Sequence, residues 1–90
     1  MGFEWDEKKR EINLERHGID FVRAQEIWQG PVLEIPSRQT HHGEERFLGI
    51  GVTKNLCLTV VFTWRKKNRR IISARRANKL EREIYAKNIG

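Results

Sequence analysis

The sequence has 90 residues and is basic, with 18 Lys and Arg against 12 Asp and Glu and a formal net charge of +6. Its 38% hydrophobic and 33% charged residues favour one small globular domain over residues 1–90 and disfavour a disordered chain. The apolar runs are too short to cross a bilayer, the N-terminus lacks the apolar core of a signal peptide, and the single cysteine, Cys57, excludes an internal disulfide. These features predict a cytoplasmic protein without a membrane partner.

The first third of the chain is predicted to form a short strand followed by two helices. The strand is "FEW" at residues 3–5. Asp6 is placed to cap a polar helix over residues 7–17. Asp20 is placed to cap a second helix over residues 21–29, in which apolar residues recur with helical spacing. This part of the chain therefore supplies helices that need a sheet to pack against.

The rest of the chain is predicted to form four strands and a final helix, at residues 32–35, 45–53, 56–64, 70–77 and 78–88. Strand 45–53 carries apolar residues at even positions, such as Leu48 and Ile50, and strand 56–64 does the same. The two strands are joined by a turn at residues 54–55. We therefore predict that they share one apolar face covered by helices and one open face of small and polar residues.

The element order β-α-α-β-β-β-β-α predicts an α+β fold with a mainly antiparallel sheet and helices on one face. In this arrangement Leu80 and Ile84 of the final helix face the core.

Two glycines, Gly49 and Gly51, stand in the strand that begins at residue 45. They do not form a phosphate-binding loop, because that pattern would need a glycine at position 54, which is Lys54, and a helix after it. We expect them either to flatten the open face or to allow close approach of the backbone.

Basic residues are concentrated near the C-terminus. Residues 61–82 hold nine basic residues and one acidic residue, a net charge of +8, which leaves −2 for the rest of the chain. A block of one sign attracts polyanions such as RNA. The RNA-binding candidates are Arg65, Lys66, Lys67, Arg69, Arg70 and Lys79. The alternative is that part of this set belongs to a solvated hairpin tip.

The last predicted strand ends on two adjacent arginines, whose side chains must point to opposite faces. By simple alternation Arg75 lies in phase with Ser73, and Arg76 lies in phase with Ala74 and Ile72. If Ala74 and Ile72 join the core, Arg75 faces the open side. The phase is not fixed by the sequence, so the two arginines could exchange roles.

The arginine on the open face can bind a phosphate with two N–H donors and stabilise charge that develops in a transition state. On the phase given above this residue is Arg75. Arg76 would then pair with an acid such as Glu81 or extend to solvent at the end of the strand.

Four further residues each have a structural and a functional interpretation. Arg46 follows Glu45 at the start of a strand, where the two form an ion pair at the sheet edge or belong to a site. His17 ends the first helix, where it stabilises the helix C-terminus or acts as a general acid or base. Tyr85 is a half-buried core residue or a hydroxyl that reaches the basic site, and we favour the core.

No metal site is expected. His41 and His42 are adjacent in a polar loop, but the chain has one cysteine and no set of ligands at metal-binding spacing.

Five stretches of this sequence occur together in one known family. They are, in chain order, "FEWDEKK", "ERHGIDF", "EERFLGIG", "RIISARRA" and "EREIY". Together they resemble the BrnT family of type II toxin–antitoxin toxins, which is similar in fold to the RelE/ParE superfamily. The resemblance covers nearly the whole chain.

The resemblance implies a small ribonuclease that cleaves RNA without a metal ion or other cofactor and arrests growth. It also implies a cognate BrnA-like antitoxin, encoded alongside, through whose DNA-binding domain the complex binds operator DNA. The positions that match the family's characteristic residues are His17, Glu45, Arg46, Arg75, Arg76, Glu81 and Tyr85. Asn78 departs from the Thr-like residue expected before the last helix, but it still serves as an N-cap.

A mechanism follows from the resemblance as a hypothesis. The RNA 2′-hydroxyl attacks the adjacent phosphate, while arginines stabilise the charge and a histidine or carboxylate transfers the proton. The catalytic candidates are Arg75, Arg76, Arg46, His17 and Glu45, with Glu81 and Tyr85 as support. The alternative is a non-catalytic basic module that binds RNA or an acidic segment of a partner through the same arginines.

Overall fold

The computed structural model describes residues 2–38 and 43–89. Its strands are β1 (Phe3–Trp5), β2 (Leu33–Pro36), β3 (Phe47–Thr53), β4 (Leu56–Arg65) and β5 (Asn68–Arg76). Its helices are α1 (Glu7–His17), α2 (Phe21–Ala24), which continues as a 3₁₀ segment over Gln25–Gln29, and α3 (Lys79–Asn88). The predicted order of elements is confirmed. Within the described ranges no helix is both long enough and apolar enough to cross a membrane.

Capping residues set the limits of the first two helices. The Asp6 carboxylate accepts hydrogen bonds from the first turn of α1, and Asp20 does the same for α2. Gly18 ends α1 with φ 71°, a left-handed conformation that favours glycine. Because α1 ends there, Arg16 and His17 lie in its last turn and are exposed.

The five strands form one mixed sheet in the order β1-β5-β4-β3-β2. β1 runs parallel to β5, whereas the other three pairings are antiparallel. β1 is short and pairs only with residues 69–71 of β5. The remainder of that β5 edge is therefore left to other partners.

The side chain of Asn13, on α1, occupies part of this free edge. Its Oδ1 accepts the Ala74 backbone N–H at 3.1 Å, and its Nδ2 donates to the Ala74 and Ile19 carbonyls at 2.9 Å. Asn13 is 5% exposed, so these bonds satisfy polar groups that water does not reach. They hold the second half of α1 against β5.

α2 and the 3₁₀ segment cover one sheet face and form the main core. The buried residues of this core are Ile19, Phe21, Ala24, Ile27, Leu58, Val60, Ile71 and Ala74. The glycines of β3 lie on this covered face, because a Cβ on Gly49 would be 2.7 Å from Trp28 Cζ2 and one on Gly51 would be 2.9 Å from Ile27 Cβ. Of the two expectations for these glycines, close approach is confirmed and a flattened open face is wrong.

The turn between β3 and β4 explains this placement. Lys54 and Asn55 form a two-residue turn with positive φ angles, as predicted, so Thr53 pairs with Leu56. Such a turn pairs even residues of β3 with odd residues of β4, as in Leu48 with Val61. The prediction that the even positions of both strands share one face is therefore wrong: Leu48 and Ile50 lie on the face opposite the α2 core.

A bulge in β5 breaks the simple alternation of that strand. The register passes from Phe62–Ile71 to Val61–Ser73, so Ile72 is an extra residue without a partner on β4. Ile71 therefore joins the core, and the prediction that Ile72 does so is wrong. Ile72 lies with Ser73 on the opposite face.

α3 lies on the face opposite the α2 core. Glu81 of α3 bonds to Thr59 and Arg75, whose neighbours in sequence, Val60 and Ala74, belong to the core on the other face. The prediction of helices on one face is therefore wrong, since the sheet carries helices on both. Leu80 is 64% exposed and does not face the core as predicted, because Glu81 takes the position toward the sheet.

Candidate active site

A groove lies on the α3 side of the sheet, and we call it the arginine groove. It has a volume of about 480 Å³. It is lined by Arg16, His17, Ser37, Arg46, Leu48, Val61, Ile72, Ser73 and Arg75. Three of these residues are arginines, a fourth is a histidine, and none is acidic. The groove is therefore suited to an anionic ligand.

The groove brings together three of the five predicted catalytic residues. His17 comes from the end of α1, Arg46 from the segment before β3, and Arg75 from β5. Arg16 and Ser37 also line it, although neither was predicted to be a site residue. The signal for Arg16 was its place beside His17 in the last turn of α1. Ser37 gave no signal of its own.

Arg75 reaches the groove and is held by Glu81. Its Nη1 donates to Glu81 Oε1 at 2.7 Å, and its Nη2 donates to Oε2 at 2.8 Å. Glu81 is 8% exposed and also accepts hydrogen bonds from the Thr59 hydroxyl and the Asn78 backbone N–H. The bond from Arg75, with smaller help from the others, lowers the pKa of Glu81 to about 2, although burial acts in the opposite direction. The expectation that Arg76 pairs with Glu81 is wrong.

This ion pair leaves one edge of the Arg75 guanidinium available. The group has five N–H donors. Glu81 accepts one from each Nη, and the Arg76 carbonyl accepts another from Nη1 at 3.4 Å. Within residues 2–38 and 43–89, the Nε–H and the second Nη2–H have no hydrogen-bond partner. These two donors form the side-on pair that can bind two phosphate oxygens.

The guanidinium of Arg46 also has few partners for its N–H donors. Among the described residues its buried Nε has no hydrogen-bond partner, and Glu44 Oε1 lies 3.9 Å from it, too far for a hydrogen bond. The predicted ion pair with Glu45 does not form, since Glu44 is the carboxylate beside Arg46. Glu45 is exposed and does not line the groove, and its backbone carbonyl accepts a hydrogen bond from the Thr63 hydroxyl at 2.7 Å.

Arg76 and Tyr85 lie outside the groove. Arg76 pairs with Leu58 in the register, which directs its exposed side chain to the face opposite Arg75. The Tyr85 hydroxyl donates to the Pro31 carbonyl at 2.9 Å, so this half-buried residue anchors α3 and does not reach the basic site.

Three of the predicted RNA-binding arginines are bound to carboxylates. Arg69 is paired with Glu34 at 2.6 Å and lies over the rings of Trp28, Phe62 and Trp64, with 13% of its side chain exposed. Arg70 is paired with Glu4 at 2.9 Å, and Arg65 with Glu44 at 3.5 Å. Because its guanidinium is paired with a carboxylate and stacked on aromatic rings, Arg69 stabilises the fold.

The remaining predicted RNA-binding residues do not form one surface. Lys66 and Lys67 form the turn between β4 and β5, where both are exposed, whereas Lys79 begins α3 beyond the other end of β5. A nine-residue strand is about 26 Å long. The basic block of the sequence is therefore divided by the fold.

The described residues offer no metal centre. Across the two described ranges, no group of three or more His, Cys, Asp and Glu side chains is close enough to hold a metal ion. His41 and His42 lie outside the described residues.

Comparisons with known proteins agree on one family. A family model described as the ribonuclease toxin BrnT of type II toxin–antitoxin systems matches residues 5–81, which include every residue that lines the arginine groove. The crystal structure of the Brucella abortus ribonuclease toxin BrnT is similar to this chain, with a TM-score of 0.63 and 26% identity. The similarity covers 88% of this chain and 99% of that one. No curated protein matched the sequence.

Proposed function

Because this chain belongs to the BrnT family of ribonuclease toxins of type II toxin–antitoxin systems, we propose that it cleaves RNA in the arginine groove without a metal ion. The observation that carries this proposal is the convergence of His17, Arg46 and Arg75, which lie far apart in the sequence, on one groove whose described lining residues include no acidic side chain. The groups available to a bound phosphate are therefore cations and an imidazole.

The proposed reaction is an in-line displacement within the RNA strand. The 2′-oxygen forms a bond to the adjacent phosphorus, and the bond from phosphorus to the 5′-oxygen of the next nucleotide breaks. The proton of the 2′-hydroxyl passes to a base, and a proton is delivered to the leaving 5′-oxygen. The products are a 2′,3′-cyclic phosphate and a 5′-hydroxyl, and DNA is not a substrate because it lacks the 2′-hydroxyl.

We assign the groove residues to separate parts of this reaction. The free side-on edge of Arg75 binds two oxygens of the scissile phosphate, because Glu81 already fixes the rest of the guanidinium. Arg46 contributes the second positive charge. His17 is the group that accepts the proton of the 2′-hydroxyl or delivers a proton to the leaving 5′-oxygen, since it lines the groove and Glu45 does not. Arg76 is left without a part in this assignment.

The family also suggests the setting in which the reaction takes place. We infer that a BrnA-like antitoxin binds this protein, that operator DNA is contacted only through that antitoxin, and that the free toxin arrests growth in the cytoplasm. We also infer that the fold of this family is related to the fold of RelE/ParE toxins.

The test of the activity is the chemistry of the products. Purified protein incubated with single-stranded RNA in excess EDTA should produce fragments with 2′,3′-cyclic phosphate and 5′-hydroxyl ends, and a matching DNA strand should stay intact. Intact RNA under these conditions would favour the non-catalytic RNA-binding alternative. Fragments with 3′-hydroxyl ends would contradict the proposed mechanism.

Variants connect the activity to the groove. We expect His17→Ala and Arg46→Ala to lower kcat by about 10²–10³-fold, the range found when a proton-transfer group or a charge-stabilising donor is removed. Lys54→Asn is the control, because it removes a charge at the β3–β4 turn, away from the groove, and suits the positive φ there. Circular dichroism should show the same folded spectrum for all three variants.

A further inference from the structure

A second cavity opens beside the arginine groove, between α1 and β5. It has a volume of about 120 Å³. Four of its lining residues, Arg16, His17, Ile72 and Ser73, also line the groove, so the two spaces adjoin along these side chains. Lys9 and Ile12 extend the lining along α1, together with Asn13. We call this second cavity the α1 channel.

The α1 channel follows one face of the helix. Lys9, Ile12 and Arg16 recur at spacings of three and four residues, which places them in a row on the same side of α1. Lys9 and Arg16 are seven residues apart, about 10 Å along the helix axis. The channel therefore leads away from His17 and has a positive charge at each end.

The cations of the channel are unusual in having no acidic partner. Among the residues that the structure describes, no ion pair or hydrogen bond involves the side chain of Lys9 or of Arg16, and no acidic residue lines the channel. Arg10, on the same helix, is instead bound to both Glu7 and Asp20. Free cations beside a groove of the same sign are complementary to a polyanion.

An apolar side chain lies between these charges on α1. Ile12 is 49% exposed, whereas Asn13, the buried residue of α1, packs against the sheet. Ile72 is brought to the same cavity by the bulge in β5. Two apolar surfaces between two cations match the alternation of base or ribose and phosphate along a single nucleic-acid strand.

We propose that the α1 channel binds the nucleotide adjacent to the scissile phosphate in a single-stranded RNA substrate. Arg16 contacts the phosphate shared with the groove, Lys9 contacts the next phosphate along the strand, and Ile12 and Ile72 contact the nucleoside between them. This inference rests on the proposed function and adds a substrate subsite to it.

The first test measures binding and does not depend on cleavage. The probe is a single-stranded 2′-O-methyl RNA octamer, whose blocked 2′-oxygen cannot attack. For a single strand, each phosphate contact contributes about 0.7 to the slope of log K against log salt concentration. Lys9→Ala should lower this slope by about 0.7, and Lys54→Asn should leave it unchanged. Equal slopes for Lys9→Ala and wild type would overturn the subsite.

The second test uses a matched pair of exposed residues on α1. Ile12 is 49% exposed and lines the channel, whereas Leu14 is 44% exposed and does not. Ile12→Glu places a negative charge in the channel and should weaken octamer binding by at least about tenfold, while Leu14→Glu should not. Equal weakening by the two substitutions would overturn the proposal.

The two tests separate this inference from the proposed activity. If Lys9→Ala lowers the salt slope of octamer binding but the wild-type protein leaves cleavable RNA intact, the ribonuclease mechanism is contradicted and the channel is supported. If the wild-type protein cleaves RNA but Lys9→Ala leaves the salt slope of octamer binding unchanged, only the channel is contradicted.

Discussion

Arg75 can serve both the fold and a substrate because its guanidinium has two usable edges. One edge forms the bidentate ion pair with Glu81, at 2.7 and 2.8 Å, and fixes the orientation of the plane. The other, formed by Nε and Nη2, stays available at the groove. An arginine that is already oriented loses less side-chain entropy when it binds phosphate. Glu81 is thus a positioning residue for the proposed site as well as part of the cap of α3.

The low pKa of Glu81 leads to a prediction about stability. This pKa lies near 2 in the folded protein, below the ordinary value of 4.5, so the ionised carboxylate stabilises the fold above about pH 4.5. That contribution should be lost as the pH falls from about 4.5 toward 2. We expect Glu81→Gln to lower the free energy of unfolding by about 1–2 kcal/mol at pH 7 and by much less near pH 2.5.

Urea unfolding of both proteins at several pH values checks this prediction. Glu83→Gln is the control, because Glu83 is exposed on the same helix and should change stability little. A destabilisation by Glu81→Gln that stays constant from pH 7 to pH 2.5 would show that the carboxylate charge is not its cause.

At the scale of the elements, two local features of the sheet decide which side chains face the groove. The two-residue turn between β3 and β4 directs Gly49 and Gly51 to the helix-covered face. The bulge at Ile72 then shifts the phase of β5 by one residue. Without this bulge, the pairing of Arg65 with Asn68 would continue unchanged and place Arg75 opposite Leu58, on the covered face. The bulge therefore directs Arg75 to the groove.

The close packing of β3 under the 3₁₀ segment can be tested at Gly49. A Cβ there would be 2.7 Å from Trp28 Cζ2, and Trp28 is held by a hydrogen bond to Glu34 and by Arg69 over its ring. We expect Gly49→Ala to lower the free energy of unfolding by about 1–3 kcal/mol through overpacking, although alanine is otherwise better than glycine in a strand. The measurement is the urea midpoint.

Gly30 provides the matched control for this substitution. A Cβ on Gly30 would meet no atom within 4 Å, and its φ of −126° is accessible to alanine. Gly30→Ala should therefore leave the midpoint unchanged or raise it slightly. If Gly49→Ala behaves in the same way, the contact with Trp28 does not restrict this position.

At the scale of the whole molecule, the fold rearranges the charge of the sequence. The positive block near the C-terminus is partly neutralised, since four of its nine basic residues, Arg65, Arg69, Arg70 and Arg75, each pair with a carboxylate. The groove and the α1 channel instead collect cations that come from both halves of the chain. The net charge of +6 predicts a polyanionic partner, but the ion pairs decide where that partner binds.

The proposed role as a toxin gives a prediction about cells. Induced expression of the protein alone should arrest growth, because the groove would cleave RNA without control. Co-expression of the adjacent open reading frame should relieve the arrest if it encodes the antitoxin. A His17→Ala/Arg46→Ala double variant, expressed at the same level of folded protein, should not arrest growth. Arrest by this variant would separate toxicity from the groove.

The sequence alone determined the elements and the family of this protein. Capping residues, apolar periodicity and the turn at 54–55 are local signals, and they predict the order of elements that the structure has. The five family stretches led to the family that the comparisons then supported. His17, Arg46 and Arg75 were also selected from the sequence as candidates for one catalytic site, together with Arg76 and Glu45, which do not line the groove.

Only the tertiary structure decided which face each strand residue takes and which arginines remain free. A bulge of one residue, at Ile72, reverses the sheet face to which each later side chain of β5 points, and the alternation in the sequence does not reveal this bulge. The pairing of Arg69 with Glu34 and of Arg75 with Glu81 joins residues from different elements. The availability of a charge depends on such neighbours, and these are set when the sheet and helices pack together.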